Sequence, residues 1–165
     1  MRHPIRAAAA ALLCCASPAF AGTVQVQDPI PYSESAYIAD NIKAECSLGT
    51  QLATALGSNA GTFGNTIAFD STLGEQGRVL KLELVEAQSA GNGFMGHFKS
   101  ATVRGVLMDD GQQVATVTAR RVSRGGPGAV FKGSCDVLER VVTAIGSDLA
   151  EWLGNPTDGA KLGDL

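Results

Sequence analysis

Two β-rich runs that face each other across Asp109-Asp110-Gly111 constrain this chain more than any other feature. Residues 100–108 (SATVRGVLM) and 113–122 (QVATVTARRV) carry many β-branched side chains, with turn-forming residues between them. An Asp-Gly pair supplies the positive-φ backbone of a tight turn, so the two runs predict an antiparallel hairpin. Upstream, Leu80, Leu82 and Leu84 alternate with Lys81, Glu83 and Val85. That period of two is a half-buried strand, and a glycine-rich loop joins it to the hairpin. The three strands predict an antiparallel meander with one face free for helices.

Helical periodicity marks two elements to cover that face. Leu138, Val142, Ile145, Leu149 and Trp152 recur at steps of three and four behind a Ser134 N-cap, with Asp136 and Glu139 near the helix start. This is one apolar stripe with acidic groups at the positive end of the helix dipole. Gly154 and Asn155-Pro156 predict its stop. A shorter helix is expected over 47–56, where Leu48, Leu52 and Leu56 share a face and Gly57 is a candidate cap. Residues 36–46 (AYIADNIKAEC) are read as a strand, and 65–69 as a short one. The expected fold is therefore α+β: an antiparallel sheet of four or five strands with two helices packed on one face.

The first 21 residues have another character. Arg2 and Arg6 precede an apolar run, AAAAALLCCA, which ends at Ser17-Pro18 and a small-x-small site, Ala19-Phe20-Ala21. This pattern predicts a secretory signal peptide cut after Ala21. Cys14 and Cys15 follow Leu12-Leu13 without the small residue that a lipidated cysteine needs, so a freely soluble exported protein, periplasmic or extracellular, is expected. Residues 22–35 read as an extended N-terminal arm, 36–154 as a single domain, and 155–165 as a flexible C-terminal tail.

Without the leader, 11 basic residues stand against 16 acidic ones, and all twenty glycines remain. Net acidity argues against a dedicated nucleic-acid binder. The 45% hydrophobic fraction excludes a disordered chain, and no apolar run reaches the ~20 residues of a membrane span.

Two cysteines are left, Cys46 and Cys135, each at the entrance to a helix. In an exported chain an even pair reads as a disulfide. The alternative is a thiol-redox protein, because a helix N-terminus lowers a thiol's pKa; neither cysteine belongs to a C-x-x-C motif. His97 is the one histidine outside the leader, so no metal site is expected. No cofactor is expected either. Gly91-Asn92-Gly93-Phe94-Met95-Gly96 matches G-x-G-x-x-G, yet the residues that follow read as a strand instead of the phosphate-binding helix. No catalytic residue emerges, and the chain reads as a non-enzyme. Two binding surfaces remain. Phe94, Met95, His97 and Phe98 either form an apolar patch for a partner or fold back over a sheet edge. Arg120, Arg121, Arg124 and Lys132 flank a Gly-Gly-Pro-Gly turn and are either solvated charges or an anion site.

Lys132, Gly133, Ser134, Cys135, Leu138, Arg140, Gly146, Asp148, Trp152 and Leu153 carry a phrase, K-G-[ST]-C…L-x-R…[IL]-G-x-D-[IL]-x-x-W-L. In this phrase the chain resembles a group of small exported proteins of Gram-negative bacteria, and the likeness covers most of 80–153. Element order is also similar to the small α+β domains of envelope-assembly factors, of the TolB amino-terminal and curli-secretion types. The resemblance implies a location and a fold. The expected function is that of an exported accessory protein that binds an envelope protein or an anionic envelope component. The alternatives are a thiol-redox protein and a carrier with a ligand pocket between helices and sheet. The sequence leaves the oligomeric state open.

Overall fold

The computed structural model describes residues 22–92, 96–123 and 133–165. The expected meander is its centre: β4 (Arg78–Asn92), β5 (Gly96–Asp109) and β6 (Gln112–Ser123) pair antiparallel. Asp110 and Gly111 form the β5–β6 turn with φ of 47° and 79°, the left-handed backbone that Gly and Asp tolerate best. The turn is tied down as well. Gly77 N–H donates to Asp110 Oδ1 at 2.8 Å, and Asp110 N–H donates to the Gly77 carbonyl at 3.0 Å.

The sheet extends beyond the meander through four short strands, all paired parallel: β1 (Gly22–Gln27), β2 (Tyr32–Ile38), β3 (Asn65–Asp70) and β7 (Ala160–Gly163). The order is β3-β1-β4-β5-β6-β7, and β2 pairs with β4 further along the edge that β1 occupies. The sheet is thus mixed rather than antiparallel throughout. Residues 22–35 are no arm. β1 runs between β3 and β4, with Val24 and Val26 fully buried and Ile30 nearly so. The tail reading fails too, because β7 pairs with β6 and Asp158 fixes its approach, accepting from Thr116 N–H at 2.8 Å and Thr116 Oγ1–H at 2.7 Å.

Residues 36–46 divide between two structures. β2 ends at Ile38, and α1 (Asp40–Glu45) follows, burying Ile42. α2 (Leu48–Ala60) is longer than expected; Gly57 lies inside it, and a 3-10 turn over Gly61–Phe63 continues to Gly64. α3 (Ser134–Gly154) has Gly133 as its N-cap residue, and the Asp136 carboxylate accepts the Gly133 N–H at 3.2 Å. All five expected stripe residues of α3 are buried.

α2 and α3 lie side by side on the face made by Leu80, Leu82, Leu84, Val103, Leu107, Ala115, Val117 and Ala119. Gly146 sets their spacing. A Cβ there would lie 2.6 Å from Ala55 Cβ and 2.9 Å from Leu56 N, so the helices touch backbone to backbone.

Candidate ligand groove

Lys99, the residue that matters most here, belongs to no sequence motif. It lies opposite Ser89 in the β4–β5 ladder and shares the inward face with Ala101 and Val103. Alternation therefore turns it toward the helix layer, and it is 5% exposed. Its ammonium donates to Ser89 Oγ. Ser89 Oγ in turn donates to Ser134 Oγ at 3.0 Å. No carboxylate among the described residues pairs with Lys99. The acid nearest in register, Glu86, faces the opposite side of the sheet and accepts from Thr102 Oγ1 at 3.0 Å. Burial without a counter-charge pushes the Lys99 pKa below its ordinary value.

Both serines open into a groove of about 470 Å³. The end of β2, the start of α1, the last turns of β4 and Ser134 of α3 form its walls. Ser89 and Ser134 are exposed, Ile38 and Ile42 supply an apolar wall, and Tyr37 stands 75% exposed at the lip. The space expected between helices and sheet is filled instead, by Leu48, Leu52, Leu56, Ile145, Leu149 and Leu153, all fully buried. The groove beside the two serines lies instead at the end of the layer.

The Cys46–Cys135 disulfide joins the same elements (S–S 1.98 Å, Cα–Cα 5.2 Å). Cys46 ends α1 and Cys135 follows Ser134 in α3, so the bond ties the α1 wall to the start of α3. Tyr32 Oη donates to the Cys46 carbonyl at 3.2 Å; burial raises the Tyr32 pKa, which keeps the phenol a donor.

The surfaces expected from sequence are not gathered into one site. Arg121 turns inward and forms an ion pair with Asp148, while its neighbour Arg120 points to the opposite face of β6. Arg124 and Lys132 lie outside the described residues, as do Phe94 and Met95. Phe98 is half-buried on β5, and of His97 the structure describes the backbone position alone. After the Gly91–Gly96 stretch the chain continues as β5, with no helix to receive a pyrophosphate. No group of three or more His, Cys, Asp or Glu able to hold a metal exists among the described residues. Among them no helix is long and apolar enough to cross a membrane.

No family model matches the sequence, and none of the curated proteins matches it. Solved structures do share the fold. One is protein XCC0632 from Xanthomonas campestris, described by the family model DUF330, with 15% identity over 86% of this chain and 88% of that one and a TM-score of 0.54. Another is PelC from Paraburkholderia phytofirmans, solved as a dodecamer of a single-substitution variant, with 14% identity over 84% and 91% of the two chains and a TM-score of 0.50. At such identity the likeness establishes the fold alone.

Proposed function

We propose that the chain is an exported accessory protein of the bacterial envelope that works by binding rather than catalysis. The observation that carries the export is the Cys46–Cys135 bond. A disulfide persists in an oxidising compartment, and here it also rigidifies the walls of the groove. The leader pattern of residues 1–21 supports export, and PelC and the DUF330 protein lend the fold a precedent in Gram-negative bacteria. The groove, with two exposed hydroxyls and an apolar wall, favours the ligand-carrying form of this function. Its partner is an envelope protein or an anionic envelope component. PelC is a dodecamer, and among the described residues β3 and β7 end the strand order with one side unpaired, so a second copy of the chain is a further partner for this fold.

Export is tested by expressing the full chain in a Gram-negative host and weighing the periplasmic product. The expected mass begins at Gly22 and lacks two hydrogens, with no thiol reactive under native conditions. A full-length cytoplasmic product with all four cysteines as free thiols overturns the proposal. Sedimentation of the purified protein then decides whether it binds to itself.

A further inference from the structure

We propose that the groove takes a small amphipathic anion, a carboxylate or phosphate head on a short apolar body, with Ser89 and Ser134 holding the head. This rests on the binding function proposed above and gives it a ligand class. The argument starts from charge. Lys99 lies directly behind Ser89, buried and with no carboxylate partner among the described residues. Its ammonium therefore projects an uncompensated positive potential through the hydroxyl in front of it.

The hydrogen bonds run in one direction. Lys99 donates to Ser89 and Ser89 donates to Ser134, which leaves the Ser134 hydroxyl, at the groove wall, able to donate to an acceptor there. A relay that ends on a donor selects an acceptor, and a charged acceptor above all. Ser134 is also the first residue of a 21-residue helix, whose positive end adds to the same potential. Ile38 and Ile42, with the alanines Ala36, Ala39 and Ala87, then give the body of the ligand an apolar surface. The volume suits a small molecule better than a folded partner.

Titration of the disulfide-bonded protein with octanoate, octyl phosphate, neutral octanamide and inorganic phosphate tests the assignment, followed by amide chemical shifts. Octanoate and octyl phosphate are expected to move Tyr37, Ser89 and Ser134 saturably, and about tenfold more tightly than octanamide. Inorganic phosphate should bind more weakly than octyl phosphate, since it lacks the body. Lys99→Met, which keeps the apolar stem, should weaken both anionic amphiphiles about tenfold and leave octanamide unchanged. Lys161→Met, which removes an exposed cation on β7, should change nothing. Octanamide binding as tightly as octanoate, or no saturable shift at the three residues, overturns the assignment. The comparison of ligands on the unmutated protein does not depend on any variant folding. Because it reads binding directly, its failure stands apart from a failure of export or of self-association.

Discussion

Arg121 and Asp148 form a two-pronged ion pair between β6 and α3: Nε donates to Oδ2 at 2.7 Å and Nη2 donates to Oδ1 at 2.6 Å. The hydrogen bonds to Asp148 raise the Arg121 pKa, with Asp164 adding to the effect. The Arg121 side chain remains 37% exposed, so solvent screens much of the attraction. A double-mutant cycle with Arg121→Met and Asp148→Leu in urea unfolding is expected to give a coupling of about 1 kcal/mol. The coupling should shrink in 1 M salt. A value indistinguishable from zero at low salt would mean that the pair does not hold the helix to the sheet.

The disulfide closes a long loop, because its cysteines are 89 positions apart. In the chain-entropy picture such a closure stabilises the fold by about 4 kcal/mol. The Cys46→Ser, Cys135→Ser double variant should unfold at correspondingly lower urea. Protection of the α1 amides should fall before that of α3, since α1 has one buried side chain, Ile42, of its own. Equal loss across both helices would contradict this order.

Two glycines of the helix layer should respond in opposite ways to alanine. At Gly146 the new Cβ meets Ala55 and the α2 backbone, and the expected loss is about 1–3 kcal/mol. Gly61 has a right-handed φ of −59° and nothing within 4 Å of its Cβ position, so Gly61→Ala should gain about 0.4–1 kcal/mol. Thermal melts of the two variants decide the matter.

Acid should release β7 late. The Asp158 carboxylate accepts from Thr116, and those bonds lower its pKa below the ordinary 3.8. A lowered carboxylate pKa stabilises the fold above the unfolded-state value, and that contribution disappears as pH falls through the folded value. β7 should therefore stay paired at about pH 5 and lose amide protection only below about pH 4. Asp158→Ala should show that loss already at neutral pH, and full protection of β7 in this variant would refute the anchor.

The meander and α3 were legible because each repeats one periodicity over many residues. The Asp110-Gly111 turn and the run Leu138 to Trp152 state their structures locally. β1 was legible in principle, since Val24 and Val26 alternate with Gln25 and Gln27. The run is short and followed by prolines, and its stability comes from β3 and β4 rather than from itself. β7 has four residues and the same dependence. Residues 36–46 misled because Ile38 and Ile42 suit either period; the β2–α1 boundary between them comes from the tertiary fold. Of the groove, Lys99 could have been found by extending the Leu107-Val103-Ala101 alternation back two residues. Ser89 could not. The irregularity between Leu84 and Glu86 shifts the parity of β4, so counting from Leu80 assigns Ser89 to the wrong face.

The position of β1 has a consequence in time. The strand is the first of the sheet to leave a ribosome or a translocation pore, yet its neighbours start at Asn65 and Arg78. Until both have emerged, Val24, Val26 and two open backbone edges have nothing to pair with. Folding of β1 thus depends on encounters distant in sequence, which is expected to slow it. During that wait the chain is most exposed to chaperones, proteases and aggregation.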